Sequence, residues 1–312
     1  MKPYISVVIP AHNRKDELER VLAALKGQSI PKTKYEIIVV DDSIPPLNPE
    51  NVKLIHIPPS GHTRARNEGI KQANGEIIAF TDDDCIPQID WLEKLSSHFR
   101  DPSVSGVEGK TVAERMKIDF HAAENLEGGK FPTCNIAFRK NALEEAEGFD
   151  EKYGFFREDT DLAFAILKRG GKIVFSENAI VFHPPRKISL FSPLRELRMI
   201  KSDIRLFKKF PELYRSKIGF VGGGGVKISA FAWLMSLIAI IFLSILPLLL
   251  VVLLKYFAHL RKRIFSLGWI WYIAVSWIRD LLYPFYFSYY YLTENADKQV
   301  VKKTALLKSV TS

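Results

Sequence analysis

Cysteine is nearly missing from this sequence. Cys85 and Cys134 are the only two in 312 residues, far apart and in no CxxC pattern. That excludes a disulfide framework and gives no support to a thiolate zinc site. Glycine is absent from Ile9–Arg14, the turn after the first apolar run, where a nucleotidyltransferase would carry a Gly-rich phosphate loop. The apolar stretch near the start is too short for a signal peptide, so the soluble part is expected to stay in the cytosol. No internal repeat is visible. Hydrophobic residues at 47% and charged residues at 25% exclude a disordered or collagen-like chain.

Charge is distributed unevenly. The run from Ile228 to Leu254 carries no charged residue. As a helix it would be about 40 Å long, against a hydrocarbon core of about 30 Å, so it must tilt, kink at Pro247 or fold back. A second apolar segment, Ile264–Leu292, is rich in Trp and Tyr and interrupted by Arg279-Asp280. It reads either as a second span or as a helix lying in the interface. The net charge of +9 suits nucleic acid or anionic lipid. Its placement favours lipid. Arg195, Arg198, Lys201, Arg205, Lys208, Lys209, Arg215, Lys217 and Lys227 gather just before the uncharged run. The expectation is membrane lipids as partners, no nucleic acid, and a domain before the basic cluster that lies on the cytoplasmic face of the cell inner membrane. Phe191–Phe210 reads as an amphipathic helix on the leaflet, with Leu197, Ile204 and Phe207 facing inward. Gly222–Gly225 reads as a flexible joint.

Before Phe191 the chain alternates strand and helix signals. Tyr4–Ile9, Tyr35–Val40, Val52–Ile57 and Glu76–Phe80 are apolar strands, while Asp16–Leu25 and Arg64–Ala73 have helical spacing. Continuous apolar strands separated by helices predict an α/β fold, a mostly parallel sheet with helices on both faces. Asp101–Phe131 reads as irregular, with Gly106 and Gly109 as breakers. Asn135–Arg139 reads as a strand, Asn141–Ala146 and Asp159–Lys168 as helices, and Ile173–Phe175 and Ala179–Phe182 as two last strands. The expected divisions are 1–190 for catalysis, 191–226 for a basic linker, 227–293 for membrane segments (about 228–254 and 264–292), and 294–312 for a polar tail.

Ligands of such sheets sit beyond the carboxyl ends of the strands, where Pro10–Asn13, Asp41-Asp42 and Asp82-Asp83-Asp84 all fall. The crowded triplet reads either as a solvated acidic turn or as a seat for Mg²⁺ or Mn²⁺. Asp41-Asp42 reads as a capping turn or as acceptors for a uracil or guanine N–H. Arg64 and Arg66, near a helix start, suit phosphate or base. Glu158-Asp159 opens a helix, where the dipole favours acids, and either could serve as a general base. His183 reads as a structural histidine or a metal ligand.

Taken in order, Ser-Val-Val-Ile-Pro-Ala-His-Asn-Arg, Val-Val-Asp-Asp-Ser, Ala-Arg-Asn-Glu-Gly-Ile, Phe-Thr-Asp-Asp-Asp-Cys-Ile-Pro, Cys-Asn-Ile-Ala-Phe-Arg-Lys, Gly-Phe-Asp and Arg-Glu-Asp-Thr-Asp-Leu resemble glycosyltransferase family 2, inverting enzymes of the GT-A fold. The resemblance runs from about residue 4 to 183. It implies that Pro10, Ala11 and Asn13 line a nucleotide pocket, that Asp41 or Asp42 meets the base, and that Arg66 or Arg64 meets base or phosphate. Asp82-Asp83-Asp84 would be the D-x-D motif, with Asp82 on ribose or metal, Asp83 beside the donor and Asp84 on Mn²⁺ or Mg²⁺. Asp159, with Glu158 beside it, would be the base, and His183 would help hold the metal. The implied donor is a nucleotide-diphosphate sugar, with UDP-sugar favoured, and the acceptor is lipid-linked or another glycan. The Q-x-x-R-W signature of the processive polymerases is absent, which points to single-sugar transfer. The alternatives are a nucleotidyltransferase and an inactive membrane scaffold.

Overall fold

A computed structural model describes residues 3–113, 116–117, 120–121, 123–154, 156–187, 189, 191–219, 221, 223–242, 249–250, 253, 263–264 and 269–294. The elements run β1 (Ile5–Ala11), α1 (Lys15–Lys26), β2 (Tyr35–Asp41), β3 (Lys53–His56), α2 (His62–Gln72), β4 (Ile77–Phe80), β5 (Ile86–Pro87) and α3 (Trp91–Ser97). They continue with β6 (Val104–Ala113), β7 (Met116–Lys117), β8 (Phe120–His121), β9 (Ile136–Arg139), α4 (Lys140–Glu145), α5 (Glu158–Lys168), β10 (Lys172–His183) and β11 (Arg186–Lys187). Last come α6 (Ser192–Glu196), α7 (Met199–Lys209), α8 (Pro211–Lys217), α9 (Gly223–Phe242), β12 (Arg263–Ile264) and α10 (Trp269–Thr293).

The chain divides into two compact units. One takes Met1–Glu114 and Ala122–Arg186, the other Arg115–His121 and Lys187–Ser312. The first is built on an eight-stranded sheet in the order β3-β2-β1-β4-β9-β6-β10-β5. β1 is flanked by parallel β2 and β4, with Ala11 beside Asp41 and Val8 beside Phe80. β9 runs antiparallel to both β4 and β6, and β10 runs parallel to β6. The carboxyl ends of β1, β2, β4 and β10 therefore share one edge. Every residue of β1 is buried, as expected of a strand covered on both faces. Leu18, Val21, Leu22 and Leu25 place the apolar stripe of α1 in one core with Ile5, Val7 and Ile9 and with Trp91, Leu92 and Leu95 of α3.

The sheet is mostly parallel, as expected, but mixed, because β9 and β5 run against the other six strands. β6 replaces the irregular stretch expected between Asp101 and Phe131. Its glycines are packing requirements rather than breaks. A Cβ on Gly109 would lie 2.3 Å from Asn135 Oδ1 and 2.4 Å from the Ala179 carbonyl, and one on Gly106 would lie 2.6 Å from Phe138. The two last strands expected are one, β10, whose pairing with β6 shifts between Ser176 and Ile180.

In the second unit, α7 presents Ile200 and Ile204, and Leu197 precedes it. These three form a small core with Tyr283, Phe287 and Tyr290 of α10. The apolar stripe expected to face lipid is therefore covered by an aromatic helix, and the amphipathic stretch is broken into α6 and α7. Arg205 is buried and pairs with Glu294 at 2.8 Å. Arg279 bonds Asp280 at 2.8 Å and also pairs with Glu196 of α6. β7 pairs with β12. Of Gly222–Gly225, read as a joint, the last three begin α9, and Gly222 lies outside the described residues. Among the described residues no helix is long and apolar enough to cross a membrane. The expected segments 228–254 and 264–292 are described only as α9, residues 249–250, 253 and 264, and α10; the polar tail after Glu294 lies outside the described residues.

Candidate active site

Three turns meet at the shared strand edge. After β1 the chain passes through His12 to Asn13, which adopts a left-handed φ of 54°, a conformation Asn tolerates better than most residues. The Asn13 N–H donates to Ser43 Oγ at 2.7 Å, and the His12 N–H donates to Asp83 Oδ2 at 3.2 Å. Pro10 and Ala11 are buried at the end of β1, while Asn13 is exposed.

Asp41 and Asp42 are not equivalent. Asp41 is fully buried and accepts hydrogen bonds from Ser43 N–H at 3.1 Å, the Ser43 hydroxyl, Leu47 N–H at 2.9 Å and His56 Nδ1 at 3.0 Å. It ties down its own loop and offers no free face to a base. Asp42 Oδ2 accepts from Ser60 and Gly61 N–H at 3.0 and 2.8 Å, while Oδ1 meets His12 Nδ1 at 2.7 Å. Burial pushes the Asp42 pKa up, but the two backbone donors and His12 outweigh it, leaving the carboxyl below its usual value.

The sequence left Arg64 and Arg66 as alternatives, and the helix phase separates them. Arg64 is exposed, whereas Arg66 is 3% exposed. Its Nη2 donates to Asp82 Oδ1 at 2.8 Å and its Nη1 reaches Glu158 Oε1 at 3.5 Å. The guanidinium also lies 5.8 Å from the centre of the Phe149 ring. Phe149 is fixed by Asn67, whose side chain donates to the Phe149 carbonyl and accepts from its N–H, at 2.9 and 2.8 Å. One buried arginine therefore joins the acid after β4 to the acid opening α5.

The two acidic groups differ in electrostatics. Asp82 lies below its usual pKa, because Arg66 outweighs the effect of burial. Asp83 is pushed up to about 6 by burial, with Arg14 and the His12 N–H pulling the other way. Glu158 also sits in a desolvated place, yet hydrogen bonding by His62 Nε2 at 2.9 Å and the charge of Arg66 hold it below its usual value. Asp159 is pushed up to about 7, by desolvation and then by the neighbouring Glu158 charge. Its Oδ1 accepts from Thr160 N–H at 2.6 Å and the Thr160 hydroxyl at 3.1 Å. Two adjacent carboxyls with their pKa values driven apart can divide roles, one held as a permanent anion and one exchanging protons near neutrality.

His183 closes β10. Its Nδ1 is 2.9 Å from the Pro184 carbonyl, which can only accept, so Nδ1 is the donor there and Nε2 is the nitrogen left for a metal. Ligand atoms of Asp84, Cys85 and His183, all buried, lie within 4.8 Å of one another. Contact with Cys134 and then burial push the Cys85 thiol pKa well up, so it remains a neutral thiol. Carboxylate oxygen and imidazole nitrogen are ligands that would fit Mn²⁺ or Mg²⁺. The sequence reading missed His62, Arg14 and Arg186. Arg14 follows the first turn and pairs with Asp83 at 2.9 Å; Arg186 pairs with Asp84. Nothing in their local pattern marks them, because the partners lie 69 and 102 residues away.

An α/β sheet with acids at its carboxyl edge is an architecture shared with solved GT-A-like proteins, and the sequence is similar to glycosyltransferases. Residues 6–142 match the model of glycosyl transferase family 2. The chain is 30% identical over 210 residues to a pre-mycofactocin glycosyltransferase of Mycobacterium tuberculosis strain H37Rv, over 58% of this chain and 43% of that protein. It is 28% identical over 207 residues to glycosyltransferase AglE of Haloferax volcanii, over 59% of this chain and 68% of that protein. The chain thus spans less than half the length of the mycobacterial relative. A mannosyltransferase from Pyrobaculum calidifontis, solved with GDP-Man and Mn²⁺, shares the fold, with a TM-score of 0.53 at 16% identity over 90% of this chain and 88% of that one.

Proposed function

We propose that this chain moves a single sugar from a nucleotide-diphosphate sugar, UDP-sugar favoured, to a hydroxyl of a lipid-linked glycan acceptor, inverting the anomeric centre. The observation that carries this reading is Arg66, which pairs with both Asp82 and Glu158; that shared network supports a donor-side role for the first acid and an acceptor-side role for the second. Asp84 and His183 would hold the divalent cation, with Asp82 turned to ribose or metal. When bound, that cation neutralises charge building on the departing diphosphate. Asp159 takes the acceptor proton as the hydroxyl attacks C1 from the face opposite the diphosphate. That displacement needs no protein nucleophile. Glu158, held by His62 and Arg66, stays ionised and keeps the Asp159 proton affinity high.

The kinship with glycosyltransferases and the intact acids speak for catalysis rather than scaffolding. Membrane attachment enters as part of this reading. Trp233, Leu234 and Leu237 of α9 and Phe285, Tyr289 and Leu292 of α10 are exposed, which suits helices lying against lipid on the cytoplasmic face. Confinement to that surface would raise the local concentration of a lipid-linked acceptor. The test is a panel of nucleotide sugars incubated with the full chain, Mn²⁺ and membrane lipid extract, with chelator as control. Transfer that disappears in chelator and returns with Mn²⁺ is expected. Full activity in excess chelator refutes the metal assignment, and transfer only to soluble oligosaccharide refutes the lipid-linked acceptor.

A further inference from the structure

The arginines Arg14 and Arg186 take no part in the reaction just outlined, yet both press on the acidic triplet. The Asp84 side chain is 4% exposed. Arg186 donates to its Oδ2 from Nε and Nη2, and Arg14 Nη1 lies 3.5 Å from the same oxygen. Arg14 is anchored elsewhere, at 2.9 Å from Asp83 Oδ1. Arg186 differs, because its side chain is 43% exposed and, among the described residues, its ion pair is with Asp84, with Asp82 and Asp83 acting on it more weakly. One side of the guanidinium lies in water and the other neutralises a buried carboxylate.

A buried carboxylate without a counter-charge is costly, and Arg186 supplies one. Asp84 also belongs to the cluster with His183 that fits a divalent cation. A guanidinium and a divalent ion on the same carboxylate oxygen exclude each other by contact and by like-charge repulsion. Binding a divalent cation together with a nucleotide-diphosphate sugar adds two charges of each sign, so the arginine's charge is still needed after it leaves the carboxylate. Its planar fork of N–H donors matches phosphate oxygens as well as it matches carboxylate. Half-exposure leaves the side chain room to turn without unpacking the sheet.

We propose that Arg186 is the exchangeable counter-ion of Asp84. It holds the carboxylate in the donor-free protein, yields it when the divalent cation binds, and then hydrogen-bonds the donor's diphosphate. This rests on the glycosyl-transfer reading above, and it adds a positioning residue whose two partners are bound in turn.

The experiment uses the full chain as wild type, Arg186→Gln and Arg186→Lys, with thermal unfolding to confirm that each is folded. Mn²⁺ affinity without nucleotide is read by electron paramagnetic resonance, and UDP and GDP affinity in saturating Mn²⁺ by calorimetry. Arg186→Gln is expected to bind Mn²⁺ about 2- to 5-fold tighter and the better nucleotide about 2- to 5-fold weaker, the scale of one partly exposed ion pair. Arg186→Lys, which keeps the charge but loses the fork, should fall between wild type and Arg186→Gln in both. The opposite signs matter, because a merely structural role would weaken both affinities together. If wild type binds Mn²⁺ and nucleotide and Arg186→Gln changes neither, or weakens both, the exchange proposal falls alone. If no variant binds Mn²⁺ or nucleotide, the glycosyl-transfer reading falls with it.

Discussion

Asp159 carries two predictions of opposite sense. As general base it must be ionised to act, and its pKa stands near 7 rather than in the usual carboxylate range. Turnover should therefore climb as pH rises through about 7, with the ascending limb lost in Asp159→Asn. That variant should keep nucleotide affinity while turnover falls by about 10²–10⁴-fold, the usual scale for a missing base. Loss of turnover in Glu158→Gln with normal turnover in Asp159→Asn would shift the role by one residue. Stability should move the other way. A carboxyl whose pKa is higher folded than unfolded binds more protons in the folded state, so its contribution is full at acid pH and lost as pH rises through the folded value. Above pH 7 the wild type carries that cost and Asp159→Asn does not. The variant should melt higher at pH 8, by roughly 2–4 °C for each kcal/mol regained. Equal melting temperatures at pH 8 would mean that burial does not disfavour the charge.

At this scale much of the candidate site's placement was legible. Asp82–Asp84, Glu158-Asp159 and His183 all fall at the ends of strongly patterned elements. Asp41 was the exception. Its position after a buried strand looks identical to a ligand-facing acid, and only four inward hydrogen-bond donors reveal that its oxygens are spent on the loop. Choosing Arg66 over Arg64 likewise needed the helix phase against β1.

Among the elements, β6 shows where pattern reading fails. Its glycines looked like strand breakers because, locally, glycine weakens a strand. In the sheet they are the only residues that let β9 and β10 close on either side. A Cβ at position 109 meets the Ala179 carbonyl, which is backbone and cannot step aside. Gly109→Ala should lower the unfolding midpoint in urea, at a cost of about 1–3 kcal/mol as for other overpacked sites. An unchanged midpoint would show that β6 and β10 have slack that the geometry denies. The strands with continuous apolar runs, β1, β2 and β4, were read correctly because a buried parallel strand announces itself. The antiparallel insertion of β9 was not readable, since strand direction leaves no mark in a four-residue run.

For the whole molecule, the exposed apolar residues of α9 and α10 and the basic residues upstream make attachment to anionic vesicles the expected behaviour. The full chain should float with such vesicles in a density gradient. Replacing Trp233 and Phe285 together by Ser should leave a larger share in the soluble fraction, and high salt should do the same if the basic residues contribute. Full recovery of the wild type as soluble protein would remove lipid attachment from the functional reading. The aromatic helix α10 was visible in composition, but its use in covering Leu197, Ile200 and Ile204 was not, because a lipid-facing stripe and a helix-facing stripe have the same period.

The division of the chain has a consequence for how the protein can be taken apart. The second unit draws on Arg115–His121 as well as everything after Arg186, so the polypeptide changes unit three times, at 114/115, 121/122 and 186/187. Severing it once after Arg186 does not separate two whole parts. The downstream fragment loses β7, the partner of β12, and the upstream fragment keeps a segment that belongs to the other unit. Synthesis from the ribosome meets the same arrangement, since residues 115–121 emerge well before the partners they require. The first unit therefore takes its two stretches from either side of residues 115–121, and an exchange of parts at residue 186 would carry those residues across with it.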